Sequence, residues 1–316
     1  LLVQTPESLK ARFNLGVRPF HEVIQISPEE HTVTVRHDGQ EFTESYDKLI
    51  LSPGAKPFVP TIEGLAEAKN AYTLRNVPDL DEIMAALDNH PKEAVVIGAG
   101  FIGLEMAENL AKRGLQVTIV EKAPHVLPPL DQEMAAFVQA ELLANGVRVI
   151  TSQSATRFED QGKVIALENG QKITSDLTIL SVGVEPENGL AKTASIELGL
   201  RGGILVDEHY ETSQKDIFAV GDAIVVKQEI TGQDALISLA SPANRQGRQV
   251  ADVIAGLGRT NKGSIGTAIV RAFNMTAAST GLSERILTMN QLPYKALHVS
   301  GKDHAGYYPG ATDMTL

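Results

Sequence analysis

The chain has 316 residues, of which 43% are hydrophobic, and a formal net charge of -11 at pH 7. This length allows two or more domains, and the acidic balance argues against partners such as nucleic acid or an anionic membrane. No apolar run reaches the roughly 18 residues of a membrane helix. Cysteine is absent, which excludes disulfides, thiolate metal sites and a cysteine nucleophile within these residues. The histidines lie far apart, so we expect them at surface or capping positions and predict no metal site.

The first part of the chain is predicted to form strands and one short helix. Alternating apolar and polar residues around an Asp-Gly turn indicate a β-hairpin, and two later apolar runs indicate a buried strand and a short helix. These elements are the hairpin strands 23–26 and 32–35 with the turn at 38–39, the strand 46–51 and the helix 79–87.

A compact βαβαβ unit is predicted next, because apolar strands alternate with helical patterns. Its elements are the strands 94–97, 116–120 and 147–150, the helices 100–113 and 131–144, the hairpin strands around 168–170 and the strand 177–183. Beyond it, the predicted elements are the strands 204–206 and 217–222, the helix 243–255 and the strand 267–273.

The most specific motif is Gly98-x-Gly100-x-x-Gly103, which stands between the first of these strands and its helix. Glycines at this spacing allow a tight turn, a close approach to a pyrophosphate and close helix–strand packing. Glu121 ends the next apolar run, where an acidic side chain accepts hydrogen bonds from a ribose diol. The pattern predicts an NADH or NADPH site, and the alternative is a glycine-rich turn in another α/β unit.

The choice between the two nucleotides stays open in the sequence. Glu121 favours NADH because a carboxylate repels a 2′-phosphate, whereas Lys122 could pair with that phosphate. Use of both nucleotides is therefore an alternative.

A second nucleotide site is indicated by Asp222, which follows the buried run 217–220. Nucleotides bind at the carboxyl edge of open α/β sheets, but a turn-capping aspartate explains this residue equally well. Ser52-Pro53-Gly54 ends another buried strand, and the dinucleotide unit is inserted between the two.

Together these features resemble the pyridine nucleotide–disulfide oxidoreductase family, especially its coenzyme A-disulfide reductase, NADH oxidase and persulfide reductase branch. The resemblance covers essentially the whole chain. It rests on residues 21–23, 46–54, 73–76, 98–105, 121–122, 181–183, 220–222, 239–248 and 306–310. It implies an α/β fold with two Rossmann-like dinucleotide-binding domains, for FAD and NAD(P)H, and an incomplete α+β interface domain.

The resemblance also implies a division of the chain and a set of site residues. Residues 1–90 and 201–262 would belong to the FAD-binding domain, 91–200 to the NAD(P)H-binding domain and 263–316 to the start of the dimerisation domain. FAD would contact Val23, Ser52, Pro53, Gly54, Gly221, Asp222 and Ala240. NAD(P)H would contact Gly98, Gly100, Phe101, Ile102, Gly103, Glu105, Glu121, Lys122 and Gly183.

The substrate side is less defined. Asn244 and Arg245 match positions that line the flavin and thiol-substrate side in the family. Tyr307 and Tyr308 match tyrosines that reach the partner subunit's active site, although a packed dimer contact without chemistry is the alternative. Arg12 is a candidate for the phosphates of coenzyme A (CoA), but scattered basic residues are usually only solvated.

The function implied by the resemblance is NAD(P)H-dependent reduction of CoA disulfide, or of CoA or small-thiol persulfide, through FAD and a cysteine. That cysteine and an FAD-binding G-x-G-x-x-G are expected upstream of Leu1. A sulfurtransferase domain, which some members carry, would lie beyond Leu316. We therefore interpret the chain as the middle of a longer cytoplasmic homodimeric enzyme, inactive by itself. The alternatives are an NADH oxidase or peroxidase and, in another class, a non-catalytic dinucleotide-binding fragment.

Overall fold

A computed structural model describes residues 3–316 of the chain. The first elements are α1 (Pro6–Phe13), β1 (Glu22–Ser27), β2 (Thr32–His37), β3 (Gln40–Ser45), β4 (Leu49–Leu51), β5 (Ala55–Pro57), β6 (Ala71–Tyr72) and α2 (Val77–Leu87). The middle elements are β7 (Glu93–Ile97), α3 (Phe101–Lys112), β8 (Gln116–Val120), α4 (Gln132–Ala144), β9 (Arg148–Ile150), β10 (Ala155–Glu159), β11 (Val164–Leu167), β12 (Lys172–Thr174), β13 (Leu177–Leu180), β14 (Val184–Pro186) and α5 (Gly189–Thr193). The last elements are β15 (Ile217–Ala219), β16 (Val226–Lys227), β17 (Asp234–Ala235), α6 (Ala240–Ile254), β18 (Thr267–Ala272), β19 (Met275–Thr280), α7 (Glu284–Met289), β20 (Ser300–Lys302) and β21 (Asp313–Thr315).

A five-stranded parallel sheet, in the order β6-β13-β7-β8-β9, lies at the centre of the fold. Of its three inner strands, β7 and β13 are almost wholly buried, as expected for parallel strands with both faces covered. Helices α3 and α4 connect β7, β8 and β9, so the predicted βαβαβ unit is confirmed. The antiparallel sheet β10-β11-β12 follows, and its first strand was not predicted.

The second nucleotide-type edge comes from a parallel pair of strands far apart in sequence. β4 pairs with β15, with Leu49 opposite Ile217 and Leu51 opposite Ala219. Because the two strands run in the same direction, the residues that follow each of them lie at the same edge. This pair shares one buried core with β1, β2, α5 and α6.

Several elements differ from the sequence prediction. α2 and α6 begin two and three residues earlier than expected, because Pro78 and Pro242 stand in their first turns. Proline is tolerated there, since a first-turn N–H has no partner in the helix. The expected strand 204–206 is only a pair of single bridges, from Ile204 to Leu198 and Ile224. Helix α1 was not predicted, although Thr5 and Ser8 form a capping box at its start.

The β18–β19 hairpin packs on the βαβαβ unit, where Val270, Ala272 and Phe273 join the core formed by α3 and α4. Backbone N–H groups attach this hairpin and α7 to α4: Asn274 at the hairpin turn donates to Glu141 Oε1 at 3.0 Å, and Glu284 of α7 donates to Asp131 Oδ2, at the N-cap of α4, at 2.8 Å. None of the helices within residues 3–316 is long and apolar enough to cross a bilayer.

Candidate functional site

The chain's own packing requires two glycines here, Gly98 in the turn between β7 and α3 and Gly103 in the first turn of α3. Gly98 has a φ of 102°, and a Cβ there would lie 2.4 Å from the carbonyl oxygen of Ser181. A Cβ on Gly103 would lie 2.0 Å from the carbonyl oxygen of Gly98. Because interiors are close-packed, a side chain at Gly98 would push the turn away from the end of β13, and one at Gly103 would push α3 away from the turn.

Gly100 differs, because the space next to it is open. It is the N-cap of α3 with a φ of -76°. Apart from its chain neighbours and the backbone of its helix, no described atom lies within 4 Å of its would-be Cβ. The first helical bond runs from the Leu104 N–H to the Gly100 carbonyl, so the earlier N–H groups have no helical partner. This open space and these donors fit a pyrophosphate.

Glu121 closes the other side of this turn. Its side chain is buried, with 8% of the residue exposed. Oε2 accepts a hydrogen bond from the Ala99 N–H at 2.6 Å, and Oε1 accepts one from the Ala123 N–H at 2.7 Å. Lys122 is exposed beside it. The predicted ribose acceptor therefore lies next to the glycine turn, and its carboxylate is already held by the backbone.

The remaining residues expected to contact NAD(P)H surround the start of α3. Phe101 is half-buried and packs towards Leu127 and β18. Ile102 and Glu105 are exposed and line a groove of about 440 Å³ between α2 and α3. Gly183, with a φ of 116°, lies just beyond β13, whose carboxyl end is next to that of β7.

At the β4–β15 edge, the structure brings Ser52, Pro53 and Gly54 to the same sheet edge as Gly221 and Asp222. Gly221 has a φ of 80° and its N–H donates to Gln246 Oε1 at 2.7 Å. This bond ties the strand end to α6.

Asp222 is half-buried, and neither hydrogen bond nor ion pair to it is found among residues 3–316. Burial raises the pKa of the Asp222 carboxyl, and the Arg75 cation partly opposes this rise. A half-buried carboxylate without a donor is costly. It therefore fits a ligand that brings hydroxyl donors, such as the ribityl chain of FAD.

Arg75 lies beside the β4–β15 edge, and the sequence analysis assigned it no role. Its Nη2 lies 3.4 Å from the Pro53 carbonyl oxygen and 2.6 Å from where a Cβ on Gly54 would be. It also lines the α2–α3 groove with Glu105. The only sequence signal was its place in the stretch 73–76, so its position between the two nucleotide edges needed the tertiary structure.

The other two residues predicted to contact FAD occupy different places. Ala240 is the first residue of α6, whose early turns pack on residues 221–223. Val23 lies in β1 and packs against the core that contains β15.

The residues predicted to contact substrate are not brought together by described contacts. Arg245 donates weakly to the Gly263 carbonyl oxygen at 3.5 Å, and Asn244 is exposed beside it on α6. Arg12 lies on α1 with its guanidinium over the Phe13 ring, at 4.9 Å from the centroid.

Tyr307 and Tyr308 lie between β20 and β21, with 83% and 59% of each residue exposed. Their ring centroids are 4.9 Å apart. Both rings are thus accessible on the last unit of the chain.

Two further observations concern metal ligands. Asp131, Glu133 and Glu284 hold carboxylate oxygens within 4.8 Å of one another, but both Asp131 oxygens already accept backbone N–H groups from α7. The expectation that the histidines lie at surface or capping positions is wrong for His125, which is 8% exposed. It is buried because the loop after β8 folds back against Ala99 through the Leu127 N–H.

Sequence comparison gives a consistent set of relatives. A profile of the pyridine nucleotide-disulphide oxidoreductase family matches residues 4–247. The chain is 34% identical to a coenzyme A disulfide reductase of Staphylococcus haemolyticus, over 99% of this chain and 70% of that protein. It is 33% identical to an NADH oxidase of Methanocaldococcus jannaschii, over 100% of this chain and 71% of that protein.

Comparison with solved structures finds proteins of the same kinds. Reduced Bacillus anthracis CoADR-RHD matches with a TM-score of 0.97 and 48% identity, over 100% of this chain and 57% of that one. A NAD-dependent persulfide reductase from A. fulgidus matches with a TM-score of 0.94 and 34% identity, over 99% of this chain and 58% of that one. The chain thus spans less than two thirds of both.

A third solved structure bears on the nucleotide. An engineered water-forming NADPH oxidase, bound to NADPH and derived by five substitutions from a water-forming NADH oxidase of Lactobacillus brevis, matches with a TM-score of 0.90 and 27% identity. It covers 99% of this chain, which spans 70% of that one.

Proposed function

The chain belongs to the pyridine nucleotide-disulphide oxidoreductase family, and we propose that the protein is an NAD(P)H-dependent flavoenzyme that reduces CoA disulfide or the persulfide of CoA or a small thiol. The observation that carries this proposal is the presence of two different nucleotide-type edges in one chain, the Gly98–Gly103 turn and the β4–β15 edge with Asp222. The expected domain division is proposed with it.

For the pyridine nucleotide, the chain's own residues supply binding and orientation. The open side of Gly100 admits a pyrophosphate to the N–H groups of the first turn of α3, where the helix dipole also favours an anion. Glu121 accepts from the ribose. Ile102 and Glu105 in the first turns of α3, and Gly183 just beyond β13, would orient the nicotinamide.

For the flavin, Asp222 would accept hydrogen bonds from hydroxyl groups of the ribityl chain, and Ser52-Pro53-Gly54 would lie along the adenosine half. Bound FAD would supply a centre that accepts two electrons and passes them on. The role of the chain is to hold that group at a fixed distance from the nicotinamide and to exclude water.

NADH is the proposed reductant. In the engineered NADPH oxidase, the substitutions include a glycine and an aspartate with the same sequence separation as Gly103 and Glu121. The aspartate is replaced by alanine in that NADPH-bound protein, which supports a role for Glu121 in favouring NADH.

The acceptor is proposed from the relatives named CoA disulfide reductase and persulfide reductase. Asn244, Arg245 and Arg12 are proposed to meet the thiol substrate or the CoA phosphates. Because residues 1–316 contain no cysteine, a thiol relay requires a cysteine from outside these residues.

An NADH oxidase is the second candidate, because one of the curated relatives carries that name. It would use the same two nucleotide edges and pass electrons to O₂, and an NADH peroxidase would pass them to peroxide.

The natural-length protein should be yellow and should oxidise NADH in the presence of CoA disulfide or CoA persulfide. An absorbance scan followed by anaerobic assays with each acceptor, and an aerobic assay without either, measures this. Turnover only in the aerobic assay would support the oxidase. Nucleotide binding without turnover of any acceptor would support a non-catalytic dinucleotide-binding protein.

Replacement of Tyr307 or Tyr308 by phenylalanine should lower kcat with thiol substrates by about 10- to 100-fold and leave flavin content unchanged. A tyrosine hydroxyl near a thiolate can stabilise it or donate a proton to the leaving sulfur. The proposed site is shared across a homodimer, because Tyr307 and Tyr308 match tyrosines that reach the partner subunit's active site in the family, and both rings are exposed. Full turnover in both variants would assign these tyrosines to packing alone. Each variant can also be mixed with subunits that carry Asp222→Ala, so that some dimers combine an intact Asp222 on one subunit with intact tyrosines on the other. Recovery of turnover in these mixtures would support a site shared between subunits.

A further inference from the structure

Glu108 is a buried acidic residue on α3 to which the proposed function gives no task. Only 8% of the residue is exposed, and acidic side chains are almost never so buried unless they are paired. Lys112, one turn later on the helix, forms an ion pair with it, but the Lys112 side chain lies largely in solvent. Such a pair contributes little by itself, so the burial of Glu108 has to be explained by what packs over it.

The tip of the β18–β19 hairpin packs over Glu108. Burial alone would raise the pKa of the Glu108 carboxyl. The Lys112 ammonium, the Phe273 N–H and the Arg271 cation oppose burial, so this pKa lies below its ordinary value. Arg271 Nε also donates to the Phe273 carbonyl oxygen at 2.8 Å. Both polar backbone groups of Phe273 are thus met by charged side chains, one from α3 and one from the hairpin.

The hairpin turn depends on these contacts because its own backbone is strained. Phe273 has a φ of 52°, a left-handed conformation that a bulky residue rarely adopts. It opens the two-residue turn between Ala272 and Met275, where glycine is the usual residue. Its ring is buried in the core formed by α3 and α4. A strained backbone persists where its surroundings fix it, so the helices determine where the tip lies.

The same hairpin reaches Phe101 at the start of α3. Phe101 stands seven residues before Glu108, and this spacing places both on one face of the helix. Phe101, Val270 and Ala277 line a cavity of about 10 Å³, which has room for one water molecule at most. The hairpin therefore lies directly behind the Phe101 side chain. Phe101 in turn follows Gly100, next to the open space in which the pyrophosphate is proposed to lie.

We propose that Glu108 is a positioning residue for the pyridine-nucleotide site: it fixes the β18–β19 hairpin against α3, and the hairpin holds Phe101 and the first turn of α3 in place. Its effect is indirect, because Glu108 lies two helical turns away from the glycine turn. The inference rests on the proposed function in taking a pyridine nucleotide as the ligand. It also links the last unit of the chain to nucleotide binding, since β18 and β19 begin that unit.

The test uses the natural-length protein with its flavin and compares wild type with Glu108→Leu, which keeps the bulk of the side chain and removes its charge and acceptors. Amide hydrogen exchange at Phe273 measures how firmly the hairpin tip is held. Anaerobic stopped-flow reduction of the flavin by increasing NADH gives a Kd for NADH and a limiting rate without any acceptor. In Glu108→Leu we expect exchange to rise about tenfold or more and the Kd to rise about three- to thirtyfold. The limiting rate should stay within about threefold of wild type, since a loss of binding alone does not slow the bound complex.

Three further variants serve as controls. Val117→Ala shortens a buried side chain near the start of β8, in the same core, so it should lower the melting temperature without changing the Kd for NADH. Lys112→Ala removes the ion pair but leaves the carboxylate beside Phe273, so exchange and Kd should stay close to wild type. Glu108→Gln keeps one oxygen that accepts the Phe273 N–H and should fall between wild type and Glu108→Leu. It provides the same comparison if Glu108→Leu does not fold.

The outcomes separate this inference from the proposed function. A normal Kd in Glu108→Leu with faster exchange would reduce Glu108 to an anchor of the hairpin and overturn the inference. Unaltered exchange in Glu108→Leu, or an equal rise in Kd in Val117→Ala, would overturn it as well. If NADH did not reduce the flavin of wild type, the proposed function itself would fail, and this inference with it.

Discussion

Replacing Gly100 with valine is expected to raise the KM for NADH by about 10- to 100-fold while the melting temperature stays close to wild type. The φ of -76° at Gly100 suits any residue, and the space next to it is open in the protein alone. A valine side chain would therefore fit the unliganded fold but occupy the volume in which the pyrophosphate is proposed to lie.

Gly103→Val is the informative comparison. Its first side-chain carbon would lie 2.0 Å from the Gly98 carbonyl oxygen, so the variant should lose Tm by several degrees through the displacement of α3. Thermal melts and steady-state kinetics on both variants separate the two glycines. An unchanged KM in a well-folded Gly100→Val protein would mean that the nucleotide does not approach this turn.

Asp222→Ala should release most of the flavin, with an affinity loss of about 10- to 100-fold, since a charge-assisted hydrogen bond contributes about 1.5–3 kcal/mol. Its half-buried carboxylate has no described donor, so a ligand hydroxyl is its natural partner. The ratio of flavin to protein absorbance after gel filtration measures the loss. Asp81→Ala, which alters an exposed aspartate on α2, is the matched control and should keep its flavin.

The raised pKa of Asp222 adds a second readout. In the flavin-free protein, burial disfavours the ionised carboxyl, so its cost to folding is absent at acidic pH, begins as the pH rises past the ordinary pKa of an unfolded aspartate and is complete above the raised pKa. Flavin-free Asp222→Asn should therefore melt above the flavin-free wild type at neutral pH, and the difference should vanish in acid. A pH-independent difference, together with full flavin retention, would remove Asp222 from the proposed site.

The sequence alone determined the central fold, because its signals are local. Apolar runs of strand length and the glycine spacing each depend on residues close together in the chain, and they predicted the βαβαβ unit. Helix α1 was missed, since a short polar helix has no apolar periodicity even when a capping box begins it. The first strand of the β10–β12 sheet was also missed.

The pairing of β4 with β15 was decided by the tertiary structure. Nothing local in residues 49–51 or 217–219 specifies the other strand as partner, because parallel pairing joins segments separated by a whole folded unit. The sequence placed Gly54 and Asp222 each at a strand end, and only the fold set them at one edge with Arg75.

The sequence also identified the glycines and the acid of the nucleotide motif without distinguishing their tasks. Gly98 and Gly103 are required by contacts with Ser181 and with each other, whereas Gly100 borders open space. The carboxylate of Glu121 is fixed by amides from two different loops. Such distinctions depend on how separate segments approach one another, and that approach is a property of the packed chain.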